Sequence, residues 1–247
     1  MTSPPGKYVL FHAEGVSSTA IELAFKVLLQ PNEYEIVELD WMATTHEKSN
    51  AEDANVKRMK AANPLMQFPT VIAPDGSVLT ELVAIFLYLL DQHGANSSWG
   101  PALLHPAQRA AFFRWMLVVS NQFYPTLPIL DFPERYITVP ADAPVSQEEG
   151  QKWVKDTVSQ RRKDAFLLLE NEFFAKTPRA SERQFALGTE KPTFLDVYLA
   201  LIVHYAPHPR PTWIIENCPQ LIASVRETVK VPEVHEVFKR NDLDDFF

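Results

Sequence analysis

The chain has 247 residues with a formal net charge of −8, 46% hydrophobic residues and 22% charged residues, a balance typical of a globular protein with a sizeable core. The excess of acidic residues argues against nucleic acid as a partner. The 7 glycines lie at least six positions apart, which excludes both glycine-rich cradles for nucleotide phosphates. The single Cys218 excludes an internal disulfide and a cysteine-cluster metal site.

The sequence also lacks signals for secretion, membrane insertion or helical metal binding. Residues 1–6 do not contain the apolar core of a signal peptide, and no run of about 18 apolar residues could span a membrane. His204 and His208 are four positions apart, but Pro207 between them breaks the helix that would align them on a metal. We therefore expect a cytoplasmic protein with no metal site.

Strand and helix patterns alternate along the first 94 residues. The first helix shows an apolar face at positions i, i+3, i+4 and i+7, formed by Ile21, Ala24, Phe25 and Leu28. Asp75-Gly76 predicts a tight hairpin between two short strands, and Gly94 is expected to end the last helix. The predicted strands are residues 7–12, 34–39, 70–73 and 77–79, and the predicted helices are residues 17–29, 53–62 and 81–93. Because a strand–helix–strand order gives a parallel pair, these elements predict an α/β domain with a mixed four-stranded sheet.

Beyond residue 94 the patterns are helical. Residues 95–106 are rich in proline and glycine and are interpreted as a linker. The predicted helices are residues 107–124, 151–175, 193–205, 213–230 and 232–240, with a loop over residues 132–150. The basic run Arg161-Arg162-Lys163 is expected to lie on a solvated face. The predicted domains are thus an α/β domain at 1–94, a linker at 95–106 and an all-helical domain at 107–247.

Two motifs carry information about function. Residues 63–91 read N-P-L-M-Q-F-P-T-V-I-A-P-D-G-S-V-L-T-E-L-V-A-I-F-L-Y-L-L-D. Residues 185–200 read F-A-L-G-T-E-K-P-T-F-L-D-V-Y-L-A, with capping-box spacing at Thr193 and Asp196. In this order the motifs resemble the glutathione transferase superfamily, and in the first domain its bacterial beta class. The resemblance implies a thioredoxin-like N-terminal domain, an all-α C-terminal domain, glutathione as cofactor and a two-fold homodimer.

The resemblance assigns glutathione to the first motif. A cis Pro69 would turn the N–H and C=O of Phe68 outward to pair with the cysteinyl backbone of the tripeptide, whereas a trans proline is the ordinary alternative. The Glu81 carboxylate would accept from the α-ammonium group of glutathione, or it would only complement the helix dipole. Many members of the family have a serine after this glutamate. Here Leu82 leaves only a backbone N–H for the γ-glutamyl carboxylate, and Gln67 matches a beta-class glutamine.

The group that stabilises the thiolate is expected in the turn before the first helix. The position of the tyrosine used by other classes is Phe11, which has no hydroxyl. Aligning the beta-class motif A-C-S-L-A places Ser17 on the catalytic cysteine, so Ser17 is our candidate hydrogen-bond donor and Ser18 is the second choice. Alternatively, both serines only cap the helix. Since this turn contains no cysteine, thiol–disulfide exchange is disfavoured, and Cys218 is interpreted as a packed residue.

The acceptor substrate is expected at the first long helix of the second domain. The resemblance aligns Ser120 and Asn121 with a His-Lys pair that lines the beta-class active site, and Tyr124 would add an aromatic wall. Both aligned residues are neutral here, which implies different substrate handling. Trp115 is interpreted as a core residue, since aromatic residues at helical spacing are usually core.

Three functions are compatible with the sequence. The first is a glutathione transferase that activates the thiolate for conjugation to a small hydrophobic electrophile. The second is a glutathione-dependent cis–trans isomerase of a conjugated alkene, as in the zeta class. The third is a non-catalytic binding module similar to the N-terminal part of the gamma subunit of translation elongation factor one, or to prion-like regulatory proteins. The joint presence of Gln67, Glu81 and a serine in the turn favours an enzyme.

Overall fold

The structure is a computed structural model that describes residues 6–44, 52–177, 185–205 and 210–243. The chain forms two compact units, which consist of the described residues of Met1–His105 with Val229–Phe247, and those of Pro106–Thr228. No helix within the described ranges is long and apolar enough to cross a membrane. Pro207 and His208 lie outside the described residues.

A mixed sheet forms the centre of the first unit. Its strands are β1 (Tyr8–His12), β2 (Tyr34–Glu38), β3 (Thr70–Ile72) and β4 (Val78–Leu79). Among the described residues they form one four-stranded sheet in the order β2-β1-β3-β4. β1 pairs parallel with β2 and antiparallel with β3, and β3 pairs antiparallel with β4. The predicted sheet is confirmed, and the predicted hairpin turns at Gly76, whose φ of 89° favours glycine.

The helices of the first unit bury the faces that the sequence predicts. They are α1 (Ser18–Leu28), α2 (Trp41–Thr44), α3 (Ala54–Ala62) and α4 (Leu82–His93). On α1 the residues Ile21, Ala24 and Phe25 are fully buried, and burial of a large apolar side chain contributes about 1.5–3 kcal/mol each. Gly94 is the C-cap residue of α4, as predicted, and its N–H donates to the carbonyl of Leu90. A side chain does not fit at this position, because a Cβ would lie 2.5 Å from the same carbonyl oxygen. The short α2 was not predicted.

Among its described residues the second unit contains helices, turns and loops but no strand. Its helices are α5 (Pro106–Val118), α6 (Thr126–Asp131), α7 (Gln147–Leu168), α8 (Phe194–His204), α9 (Pro211–Asn217) and α10 (Pro219–Thr228). A π-helical turn, Val119–Phe123, follows α5, and a second, Leu169–Phe173, follows α7. Trp115 is a core residue as predicted, with 2% of its surface exposed and its ring 4.8 Å from that of Phe173.

Two predicted boundaries in the second unit are wrong. The loop predicted over residues 132–150 ends early, because the hydroxyl of Ser146 accepts from the N–H of Glu149 at 3.1 Å and starts α7. The helix predicted over residues 213–230 is two helices, because Pro219 has no N–H to continue α9. The predicted capping box of α8 is confirmed, and the Asp196 carboxylate accepts from the N–H of Thr193 at 2.8 Å.

The last helix, α11 (Pro232–Arg240), packs against α1 in the first unit. The Arg240 guanidinium binds the carboxylates of Glu22 and Glu38, and Lys26 lies 2.5 Å from Glu236. The sequence-based boundaries at residues 94 and 106 remain a prediction. They did not anticipate that the C-terminal helix returns to the thioredoxin-like part of the chain.

Candidate functional site

The loop between α3 and β3 is organised by Asn63, which is 4% exposed. Its side-chain Nδ2 donates to the Thr70 hydroxyl at 2.9 Å and to the Gln67 carbonyl at 3.3 Å. Its Oδ1 accepts from the N–H of Leu65 at 3.0 Å. The Thr70 hydroxyl in turn donates to the Gln67 carbonyl at 2.7 Å. These bonds fix the backbone on either side of Phe68. The N-P pair alone carries no signal that its asparagine holds the loop, because the partners of Asn63 are set by the folded backbone.

The two residues at the centre of this loop meet the turn that precedes α1. The Phe68–Pro69 peptide bond is cis, as the resemblance implies. The Phe68 carbonyl accepts a hydrogen bond of 2.9 Å from the hydroxyl of Ser17. The N–H of Phe68 has no partner among the described residues. Gln67 is exposed and Pro69 is buried. The structure thus brings Ser17 and Phe68 together, although they are 51 positions apart.

The two candidate serines differ in burial and in their partners. Ser17 is 4% exposed and occupies the N-cap position of α1, but its side chain makes no capping hydrogen bond. Ser18 is fully buried. Its hydroxyl lies 2.9 Å from Nδ1 of His12, and 3.2 Å and 3.3 Å from the N–H and C=O of Ala13. Neither serine therefore caps the helix through its side chain. Of the hydrogen bonds that the two hydroxyls make to described residues, only that of Ser17 reaches the segment between α3 and β3, residues 63–69, which we call the Phe68 loop.

The hydroxyl of Ser18 contacts a buried histidine. His12 is 2% exposed, and its Nε2 lies 3.5 Å from a carboxylate oxygen of Glu22. Burial lowers the pKa of His12 below its ordinary value of 6.5, and the nearby Arg240 lowers it further, against the opposing carboxylates of Glu22 and Glu38. A neutral imidazole accepts at one nitrogen and donates at the other. The arrangement suits acceptance from Ser18 and donation towards Glu22. Neither His12 nor Glu22 belongs to a motif that the sequence predicts to be functional.

The start of α4 presents backbone N–H groups that have no partner within the described ranges, beside an exposed carboxylate. Glu81 is the N-cap residue, and its side chain makes no capping hydrogen bond. The first N–H groups of a helix have no partner inside the helix, and Leu82 and Val83 occupy these positions. Glu81 has a φ of 64° and a ψ of 110°, a conformation that costs a residue other than glycine about 1–3 kcal/mol. Such strain is typical of ligand-binding positions.

The candidate acceptor residues lie on the π-helical turn of the second unit. Ser120 is half-buried and Asn121 is exposed. Tyr124 follows the turn, with its N–H bonded to the carbonyl of Val119 at 3.4 Å and its ring 6.0 Å from that of Tyr198. Single π-helical turns within helices occur frequently at functional sites. The role of Ser120, Asn121 and Tyr124 in binding an acceptor substrate remains a prediction.

The side chain of a buried arginine binds the backbone at the end of this turn. Arg162 is fully buried, and its guanidinium donates to the carbonyls of Phe123 and Ile202, both at 2.9 Å, and to the hydroxyl of Thr126 at 2.7 Å. Burial lowers its pKa to about 10. The prediction that Arg162 lies on a solvated face is therefore wrong. The run of three basic residues gave no sign that one of them points into the core.

Comparison with solved structures defines the fold class. The chain is similar to a sphingomonad glutathione S-transferase complexed with glutathione, with a TM-score of 0.64, 21% identity and coverage of 95% of this chain and 99% of that chain. It is equally similar to the beta-class glutathione S-transferase of Sphingomonas chungbukensis, with a TM-score of 0.64, 19% identity and the same coverage. The predicted fold, a thioredoxin-like domain followed by a helical domain, is confirmed.

The sequence comparison points to the same superfamily. The chain is 29% identical over 195 residues to the "Uncharacterized GST-like protein YncG" of Escherichia coli strain K12, a span that covers 78% of this chain and 82% of that protein. No protein-family model matches the chain. The predicted resemblance to the glutathione transferase superfamily is confirmed in sequence and in fold.

Proposed function

We propose that the protein is a glutathione transferase that binds glutathione at the Phe68 loop and the start of α4, and activates its thiol with the Ser17 hydroxyl. The observation that carries the proposal is the 2.9 Å hydrogen bond from Ser17 to the Phe68 carbonyl. It brings the candidate thiol donor to the candidate backbone partner of the tripeptide. The substrate of the conjugation would be a small hydrophobic electrophile.

The start of α4 fits the γ-glutamyl end of glutathione. This end carries an α-ammonium group and a carboxylate, which need an acceptor and donors at neighbouring positions. The Glu81 carboxylate is exposed and accepts from the ammonium group, a charge-assisted hydrogen bond. The N–H groups of Leu82 and the next residue donate to the carboxylate, which the helix dipole also favours. The strained backbone of Glu81 aims its side chain and these N–H groups at one ligand.

The Phe68 loop fits the peptide backbone of glutathione. The Phe68 N–H is unbonded within the described residues, and its carbonyl oxygen has a second lone pair beside the one that accepts from Ser17. Both groups can pair with the cysteinyl residue as an added strand does. The exposed side chain of Gln67 lies on the same loop and contributes a further polar contact.

Ser17 provides the donor for the thiol. When bound, glutathione supplies the sulfur nucleophile of the reaction. The Ser17 hydroxyl donates to the Phe68 carbonyl in the present structure. In the proposed complex it would turn from this carbonyl to the sulfur of the glutathione bound at the same loop. A donor of this kind lowers the pKa of a thiol. A decrease by two units increases the thiolate fraction about a hundredfold at a pH below both values.

Further features of the proposal rest on the relatives. The sphingomonad enzyme of the same fold is complexed with glutathione, which supports glutathione as the ligand here. We propose Ser120, Asn121 and Tyr124 as part of the acceptor site, and a cytoplasmic homodimer as the working form, as the resemblance implies. Light scattering after size exclusion measures the mass of the assembly, and a monomer at micromolar concentration would exclude the dimer.

The decisive experiment is a glutathione titration of the purified protein by calorimetry, followed by a pH titration of the thiolate absorbance of the bound ligand. We expect Glu81→Gln to weaken binding by about 10- to 100-fold, the effect of losing a charged hydrogen bond. Asp91→Asn changes an exposed acid at the other end of the same helix and should leave the affinity unchanged. Equal affinities of the two variants would contradict the assignment of Glu81.

The role of Ser17 requires a second pair of variants. Ser17→Ala should raise the thiol pKa of bound glutathione and lower the conjugation rate, whereas Ser17→Thr retains the hydroxyl and should keep most of both. A Ser17→Ala variant with an unchanged thiol pKa would refute this role. Catalysis without consumption of glutathione would favour the isomerase, and absence of binding at millimolar glutathione would favour the non-catalytic module.

A further inference from the structure

A chain of buried polar groups connects the turn before α1 to the C-terminal helix. It starts at Ala13, whose N–H and C=O both contact the Ser18 hydroxyl, at 3.2 Å and 3.3 Å. It continues from Ser18 to Nδ1 of His12 at 2.9 Å, and from Nε2 of His12 to Glu22 at 3.5 Å. The Glu22 carboxylate also accepts from Asn241 at 2.8 Å. His12 is 2% exposed and Ser18 is fully buried.

The position of Ser18 makes it a clamp on the turn that carries Ser17. Its hydroxyl binds the backbone where β1 ends and Ser18 itself begins α1, so it joins the two ends of the turn. The turn between them contains Gly15 at a φ of 69° and ends at Ser17. A buried hydroxyl with a single proton needs a fixed acceptor to hold one orientation. The nearer acceptor is His12, at 2.9 Å against 3.3 Å for the Ala13 carbonyl.

The groups on the far side of His12 determine which nitrogen accepts. The charged groups that face it are Glu22 on α1, Glu38 on β2 and Arg240 on α11, and Asn241 adds a polar contact. A carboxylate facing Nε2 favours the tautomer with the proton on that nitrogen, which leaves Nδ1 free to accept from Ser18. Arg240 and Asn241 also bind Glu22. These two residues therefore hold the Glu22 carboxylate in place beside His12.

We propose that His12 is a positioning residue: through Ser18 it fixes the turn before α1. It thereby places the Ser17 hydroxyl so that it donates to the Phe68 carbonyl in the free protein and to the thiol once glutathione is bound. The part that concerns the thiol rests on the proposed function. The part that concerns the Ser17 hydroxyl is a statement about the free protein. Ser18 is then a clamp on the turn and does not donate to the thiol.

The test uses two substitutions, each of which keeps a polar atom at the position of only one of the two imidazole nitrogens. The side-chain oxygen of His12→Asn occupies the place of Nδ1 and can still accept from Ser18, but it does not reach Glu22. The side-chain amide of His12→Gln occupies the place of Nε2 and can still face Glu22, but it offers Ser18 no acceptor. Both variants replace the same buried ring, so a loss of stability alone should affect them similarly.

The first readout is the thiol pKa of glutathione bound to each variant. We expect His12→Asn to stay close to wild type, and His12→Gln to raise the thiol pKa by about one unit, an approximately tenfold loss of thiolate below both values. The KM for glutathione should change little, because Glu81 and Phe68 are retained. Equal thiol pKa values in the two variants would overturn the proposal.

The second readout does not need glutathione. In crystal structures of the ligand-free variants, Ser17 should remain within hydrogen-bond distance of the Phe68 carbonyl in His12→Asn and move away from it in His12→Gln. An unchanged Ser17 in both structures would refute the positioning role. Should wild type fail to bind glutathione, the proposed function fails, and these structures still decide whether His12 positions Ser17. If His12→Gln does not fold, Ser18→Ala tests the same clamp, with the same displacement of Ser17 expected.

Discussion

Replacement of Asn63 tests whether one side chain holds the loop between α3 and β3. Asn63→Ala removes the bonds to Thr70, Gln67 and the N–H of Leu65. Each neutral hydrogen bond contributes about 0.5–1.5 kcal/mol net. The Gln67 carbonyl keeps its bond from the Thr70 hydroxyl, so its loss is partly offset. We expect the free energy of unfolding to fall by about 2–3 kcal/mol, or the midpoint of thermal unfolding by about 5–10 °C in a chain of this size.

The assay is urea denaturation followed by circular dichroism, combined with hydrogen exchange at the Leu65 amide. This amide donates to the Asn63 side chain, so it should exchange faster in the variant even under conditions where the protein stays folded. Asn63→Asp retains the acceptor for Leu65 and loses both donor bonds. It should therefore protect this amide while still destabilising the protein.

The matched control is Asn55→Ala. Asn55 lies exposed on α3, the helix that Asn63 terminates, and exposed substitutions usually change stability by less than about 0.5 kcal/mol. If Asn63→Ala and Asn55→Ala were equally stable, the three bonds would not hold the loop. Asn63 would then not be the residue that fixes the backbone beside Phe68.

Further predictions concern buried and capping groups elsewhere in the chain. Arg162→Met should destabilise the protein by about 2–3 kcal/mol in urea denaturation, because it leaves buried carbonyls without a donor; a stability equal to wild type would mean that removing the buried charge offsets this loss. Burial raises the pKa of the Cys218 thiol to about 12, so only about one thiol in ten thousand is ionised at pH 8; an aromatic disulfide reagent should label Cys218 rapidly only in urea. Asp53→Ala removes a side-chain cap that accepts from two N–H groups of α3 and should cost about 1 kcal/mol, measured by thermal unfolding. The pKa of His12 is lowered in the folded state, so the unfolded state binds more protons. Stability should therefore fall as the pH drops below 6.5. His12→Asn should flatten this pH dependence, and His235→Asn on the surface of α11 should not.

The sequence was informative wherever periodicity or a local motif determines the structure. The apolar spacing on α1 and the D-G turn at Gly76 depend on a few adjacent residues, and both were predicted correctly. The start of α7 was missed although Ser146 and Glu149 have capping spacing, because the preceding residues contain no other helical signal. The division at Pro219 was missed because the apolar pattern continues through it.

Burial of polar residues was much harder to predict. Arg162 stands between two basic residues, and only the positions of the Phe123 and Ile202 carbonyls show why it is buried. Which of the two serines faces the Phe68 loop also depends on residues that are distant in the sequence. Adjacent residues differ by about 100° around a helix, but the N-terminal turn has no regular pattern that indicates which hydroxyl faces the loop. The contact that distinguishes them is made by Phe68, 51 positions away.

The return of α11 to the first unit links these observations. Glu22 is buried on α1 beside His12, and a buried carboxylate is costly unless it is paired and hydrogen-bonded. Its partners, Arg240 and Asn241, lie more than two hundred positions away. Without α11, Glu22 would lose these partners and would no longer be held beside Nε2 of His12. A carboxylate that left this position would no longer favour the tautomer of His12 that accepts from Ser18. The C-terminal helix is therefore part of what holds the turn of Ser17, although no signal near Ser17 in the sequence points to it.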